Sequence, residues 1–279
     1  MHPVVDLGVV SLRTFGIVLF AALALAVAFA ERRARRAGMP RGTALAAAAS
    51  TLFCAWFGAK LVPVIVDPRS ACASLEAVLR GLAFSGGAFY GGLAGGLFGL
   101  ALFSRRRGVP LLPLLDVAAP AIALGQAAGR FACFFAGCDH GRPAPEGLPW
   151  AVTFADPRSL VLPSLLGVPL HPSALYESAG ALVVLGLVLA AERTRFRSGF
   201  GPGALFALYV LLYAPLRFGL ETFRGDARRG LHFGGSVSTS QLASALFLIL
   251  ASGAIMVAWG RRRKRRTGDS RCSARCAMP

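Results

Sequence analysis

The hydrophobic positions of this chain fall into long runs with few charges, not into alternating or one-faced stripes. The runs cover about Thr14–Ala30, Thr43–Val66, Phe89–Arg105, Leu111–Phe135, Pro172–Ala191, Gly203–Phe218 and Gln241–Trp259. Each is near the ~20 residues that a helix needs to cross the hydrocarbon of a bilayer. Inside hydrocarbon only a helix or a closed barrel satisfies its own backbone. The pattern therefore predicts an all-α, polytopic membrane helix bundle of about seven transmembrane helices. The longest polar stretch, 137–170, is Pro-rich and holds no run of membrane length, so it predicts a large loop.

Charge sets the expected topology. Arginine clusters at 31–41, 105–107, 193–197 and 261–275 follow the first, third, fifth and seventh runs, all on one side. That side is expected to be the cytoplasm, because loops rich in Lys and Arg stay inside. The N-terminus and the segments 67–86, 137–170 and 222–236 are then expected outside, and the C-terminus inside. The first run has its positive charge after it, which predicts an anchor and not a cleaved signal peptide. The expected organisation is one membrane domain over 1–260 and a basic cytoplasmic tail without regular structure over 261–279.

Composition agrees. The chain is 55% hydrophobic and 15% charged, against about 25% charged in soluble domains, so lipid solvates much of its surface. A net charge of +17 elsewhere would suggest nucleic acid. Here the arginines sit at the ends of apolar runs, where they anchor helices and meet anionic head groups. No basic-aromatic module accompanies them, so no nucleic-acid partner is expected. The cysteines Cys54, Cys72, Cys133, Cys138, Cys272 and Cys276 make neither a dense disulfide framework nor a four-ligand zinc set. No metal or cofactor is expected.

The chemistry lies in arginines on the side that should lack them. The segment Gly129–Gly141 reads GRFACFFAGCDHG and puts Arg130 near the outer end of the fourth run. A charge at that depth faces a bundle interior or a wet cavity. Its fork suits a phosphate; the alternative is an arginine that snorkels to the interface. Arg217 and Glu221 are four apart and share a helical face with Tyr213. They make either a structural ion pair or a pair in which one partner meets substrate. In His171-Pro172-Ser173-Ala174-Leu175-Tyr176-Glu177, His171 is a candidate base or a hydrogen-bonding residue at a helix start. Glu177 and Asp116 are acids inside apolar runs and need partners. In the Gly-rich segment 85–96, Gly91 and Gly92 allow close helix approach and Tyr90 offers a hydroxyl.

Together and in this order, these segments resemble the prolipoprotein diacylglyceryl transferases. The resemblance runs from Arg13-Thr14-Phe15-Gly16 to Ser238-Thr239-Ser240-Gln241-Leu242 and leaves out only the tail. It includes Gly58-Ala59-Lys60, Phe89-Tyr90-Gly91-Gly92-Leu93, Asp116–Pro120, Gly129–Gly141, Pro149-Trp150-Ala151, His171–Glu177 and Arg217–Glu221.

The resemblance implies a monomeric enzyme of the bacterial inner membrane, active toward the outer face and without a cofactor. Its reaction moves the diacylglyceryl group of phosphatidylglycerol to the lipobox cysteine thiol of a prolipoprotein signal peptide, forming a thioether and releasing glycerol phosphate. The resemblance assigns Arg130, Arg217, Glu221, His171 and Tyr90 to catalysis. It assigns Arg130, Tyr90, Gly91, Gly92, Tyr213, Cys133 and Cys138 to substrate binding. The family commonly has Asn where Cys133 and Ala136 stand, Glu at Cys138, Tyr at Phe15, and the proposed base, His, at Tyr90. The Gly137-Cys138 pair is similar to a divergent branch of the family. A phenol with a pKa of about 10 is a poor base at neutral pH, so His171, His140 and Glu221 are the candidates. Two expectations compete with the transferase: a silent relative that binds phospholipid or lipoprotein, and a transporter. Polar residues gathered toward one face, not the midplane, weigh against the transporter.

Overall fold

A computed structural model of the chain describes residues 4–6, 11–66, 89–194, 201–225, 231–232, 237–238, 240–253 and 256. Among these the chain is mainly helical, with three two-stranded ribbons and irregular connections. The helices are α1 (Thr14–Arg36), α2 (Thr43–Val66), α3 (Phe89–Arg107), α4 (Leu111–Ala136), α5 (Ser173–Arg193) and α6 (Ala204–Leu220), with α7 at Ser240–Gly253. Five stretches are long and apolar enough to cross a membrane, in α1, α2, α4 and α5 and in α6 together with the turn that continues it to Phe223. Large apolar side chains point outward, with Phe20 74%, Phe53 67% and Ile249 69% exposed. Water would not tolerate so many together, and the chain is a multi-pass membrane protein.

The helices start within about a residue of the apolar runs. They end later. α1 continues past Ala30 to Arg36, and α6 continues past Phe218 to Leu220 and then into a 3₁₀ turn, Glu221–Phe223. Arg and Glu are good helix formers, so a helix can leave the hydrocarbon without unwinding. The predicted loop 67–86, the arginines Arg195, Arg197, Arg228 and Arg229, the cysteines Cys72, Cys272 and Cys276, the end of the seventh run and the tail 261–279 lie outside the described residues.

The chain divides into two compact units, residues 27–117 and residues 1–26 with 118–279. In the first, α2 and α3 meet backbone to backbone. A Cβ at Gly58 would collide with the carbonyl of Gly91, and one at Gly95 with the carbonyl of Cys54. This is the close packing that small residues permit in membranes. Glu31 caps α2, accepting the N–H of Gly42 at 2.6 Å and of Ala44 at 3.0 Å. A carboxylate suits those otherwise unpaired donors and the positive end of the helix dipole.

In the second unit α4, α5 and α6 share a core of Ala119, Ala123, Val184, Val188, Leu205 and Tyr209. The alanines of α4 bring its neighbours close, and polar side chains bind them. Ser178 Oγ donates to the Ala127 carbonyl at 2.8 Å, and Tyr209 donates to Gln126 Oε1 at 2.8 Å. Such bonds contribute about 0.6–2 kcal/mol each between membrane helices. The loop after α4 is ordered by pairing of Val152–Thr153 with Pro169–Leu170 over a small core of Phe154, Val161 and Leu170. At the start of α7, Ser238 N–H donates to Gln241 Oε1 at 2.9 Å and Gln241 N–H to Ser238 Oγ at 3.2 Å, a reciprocal cap.

Candidate active site

The site forms where α4 ends, α5 begins and α6 ends. Gly137 stops α4 with φ +74°, its N–H bonded to the Cys133 carbonyl at 2.9 Å. This is a left-handed cap that glycine accepts without strain, and a Cβ there would also strike Val161 and Phe154. Asp139 follows at φ +52°, a region that Asp enters more readily than most residues. The chain thereby doubles back and lays the Asp139 carboxylate against the helix that it has just left. Ser173 Oγ, at the start of α5, holds the Asp139 carbonyl at 2.8 Å.

An unbroken ladder of charge results. Arg224 Nη2 meets Asp139 Oδ1 at 2.7 Å, and Arg130 Nη1 meets Asp139 Oδ2 at 2.8 Å. Arg130 Nη2 reaches Glu177 Oε1 at 2.7 Å. The same oxygen accepts the Tyr213 hydroxyl at 2.7 Å and lies 3.9 Å from Arg217 Nε. Arg217 Nη1 in turn pairs with Glu221. Guanidinium and carboxylate alternate, three of each, so the ladder is formally neutral. Its Glu177 and Glu221 end is buried, with side chains 5% and 3% exposed, whereas Asp139 is 35% exposed. At the Asp139 end a small recess is lined by Arg130, Asp139, Ser173, Glu177, Leu220 and Arg224. Burial pushes the Asp139 carboxyl up, but Arg224 and Arg130 outweigh it and hold that group below the usual carboxylate range.

Residues 3–259 match the family model for prolipoprotein diacylglyceryl transferase. The chain belongs to that family. It is 29% identical over 266 residues to the phosphatidylglycerol–prolipoprotein diacylglyceryl transferase of Symbiobacterium thermophilum, spanning 95% of both chains. The relative of that name from Clostridium tetani is 30% identical over 236 residues, 85% of this chain and 89% of its own. That from Frankia casuarinae is 35% identical over 226 residues, 80% of this chain and 53% of its own.

Of the residues that family resemblance pointed to, Arg130, Arg217, Glu221 and Tyr213 come together in the ladder. Glu177, known from the sequence only as an acid in want of partners, is its centre. Asp139 was missed: an acid in a polar loop gives no signal of its own. Arg224, just past the end of α6, is the third guanidinium. His171 stands in an aromatic cluster, with Nδ1 3.2 Å from the Tyr176 hydroxyl and its ring 5.4 Å from that of Phe223. Trp150 donates to the same hydroxyl at 2.8 Å. His140 is buried, its Nδ1 3.0 Å from the Gly141 carbonyl. Gly91 and Gly92 lie in α3, in the other unit, and the Tyr90 side chain is outside the described residues.

Cys133 and Cys138 are free thiols beside Arg130. Cys133 Sγ is 3.9 Å from Arg130 Nη1 and 3.7 Å from Asp139 Oδ2. Together with Cys138 Sγ they place three potential metal-ligand atoms within 4.8 Å of one another, one short of a closed zinc set. The carboxylate among them is already shared by two guanidiniums, whose charge opposes a cation there.

Proposed function

We propose that this chain transfers the diacylglyceryl group of phosphatidylglycerol to the lipobox cysteine of prolipoprotein signal peptides, acting as a single chain in the bacterial inner membrane. The observation that carries this reading is the charge ladder at one end of three apolar helices, in a family whose relatives are named for that reaction. A phosphodiester at head-group depth is the ligand that such guanidiniums suit.

The ladder supplies the geometry for exchange. Arg130 and Arg224 hold one oxygen each of Asp139, as they would hold two oxygens of a phosphate. Asp139 is its most exposed acid, so arriving phosphate displaces it while Glu177 and Glu221 keep Arg130 and Arg217 aimed. The substrate thiolate then attacks the glyceryl carbon that bears the phosphate. A C–S bond forms, the C–O bond breaks, and negative charge gathers on the departing glycerol phosphate. Arg130 and Arg217 stabilise that charge from fixed positions, the largest single kind of catalytic contribution. The thiol proton goes to His171, which Tyr176 orients and whose imidazole is the commonest kind of general base. Tyr90, Gly91 and Gly92 are assigned to substrate by resemblance alone.

The site faces outward in this reading. Glu177 lies one turn into α5 and Arg193 ends it, about 24 Å away at 1.5 Å per residue. Arginine clusters at the far helix ends support a cytoplasmic position for those ends and an outward one for the ladder. Expression in a bacterial strain depleted of its own transferase tests the function. Rescue of growth and of lipoprotein processing is expected. Inserted protein that fails to rescue would instead support a relative that binds phospholipid without reacting.

A further inference from the structure

The cap of α4 does more than reposition Asp139. Because Gly137 turns left-handed, the residue after it folds back over the last helical turn, so Cys138 lies over Cys133. Cys138 Sγ sits 3.8 Å from the Cys133 carbonyl, and the two sulfurs are within 4.8 Å of each other. Neither is bonded. Both are only partly buried, so a small reagent can reach them. A helix that simply continued would carry residues five apart to different faces; this turn brings them together.

We propose that Cys133 and Cys138 form a reversible disulfide, a redox-modification site one helical turn from Arg130. The oxidant is an organic disulfide. Cys133 attacks first, as the thiolate: Arg130 Nη1, 3.9 Å from its sulfur, favours the anion and offsets Asp139 Oδ2, which opposes it at 3.7 Å. An S–S bond forms between Cys133 and one half of the reagent, and the other half leaves as a thiol after taking a proton. Cys138 then loses its proton and attacks the Cys133 sulfur, and the second half leaves as a thiol. Two electrons pass from the cysteine pair to the reagent, whose two sulfurs take up both protons. The hydrogen bond with Cys133, followed by burial, pushes the Cys138 thiol up, which agrees with Cys138 as the second thiol to act.

A metal is the weaker reading of the same atoms. A cation between these sulfurs and Asp139 would meet Arg130, 2.8 Å from that carboxylate. A disulfide adds no charge.

The disulfide goes beyond the transferase reading, and its test needs no transfer. Full-length protein in detergent is treated with glutathione disulfide, quenched with acid, labelled with N-ethylmaleimide and digested with trypsin. The peptide Phe131–Arg158 carries both thiols and no other cysteine. It is expected unlabelled and lighter by two hydrogens, with both labels regained after dithiothreitol. Under the same treatment Cys138→Ser should stop at a glutathione adduct on Cys133. A doubly labelled wild-type peptide, or a stable glutathione adduct on it, overturns the proposal. So does protection of both thiols by zinc alone in protein that glutathione disulfide leaves unlinked.

Discussion

Glu177, itself buried, holds two largely buried arginines and a tyrosine at once. Removing one partner of a buried ion pair costs about 3–5 kcal/mol, because the other charge is left alone. Glu177→Gln is therefore expected to lower thermal stability in detergent and to abolish transfer; a variant as stable as the parent would show that the ladder carries no structural load. Asp139 gives a pH signature. Its carboxyl is held below the usual range in the folded chain, so its contribution is complete above the unfolded value near 3.9 and is lost as pH falls through the lower folded one. The stability gap between wild type and Asp139→Asn should thus be full at neutral pH and close in acid. A gap unchanged by acid would assign the effect to packing. The arginines were legible in the sequence because a charge in an apolar run is exceptional. Glu177 was legible as an anomaly without an address. Asp139 was not, because only the two left-handed residues at 137 and 139 bring it back to Arg130.

Helices were the most legible elements, since long apolar runs leave the backbone little choice. Their ends were less so, because hydropathy stops at the edge of the hydrocarbon and the helix does not. How the helices pack follows from residues too small to form a hydrophobic pattern. Gly58 and Gly95 have no room for a Cβ between α2 and α3, whereas Gly186 of α5 has nothing within 4 Å of one. Gly95→Leu should destabilise the protein by more than the ~1–3 kcal/mol usual for an overpacked core, since the obstacle is backbone. Gly186→Leu should change stability little. Thermal unfolding of the two in the same detergent checks this, and equal melting temperatures would contradict the packing described.

For the molecule as a whole, membrane insertion and head-group chemistry are two uses of the same residue type. Arginines in the last turns of α1, α3 and α5 stand where loops held in the cytoplasm are expected. Arg130, Arg217 and Arg224 are instead tied to carboxylates, and in the reaction proposed Arg130 and Arg224 exchange Asp139 for phosphate. The sequence separated the two sets by the side of the membrane expected for each. It did not reveal that the second set is neutralised before substrate arrives, because that depends on contacts between three helices and a loop. The most direct test of the central claim is transfer of labelled diacylglyceryl from phosphatidylglycerol to a lipobox peptide by purified protein, with wild type beside Arg130→Ala. The account predicts transfer by the wild type and a loss of a hundredfold or more in the variant, the ~3–4 kcal/mol that one charged donor contributes to a developing anion. Near-full transfer by Arg130→Ala would contradict it.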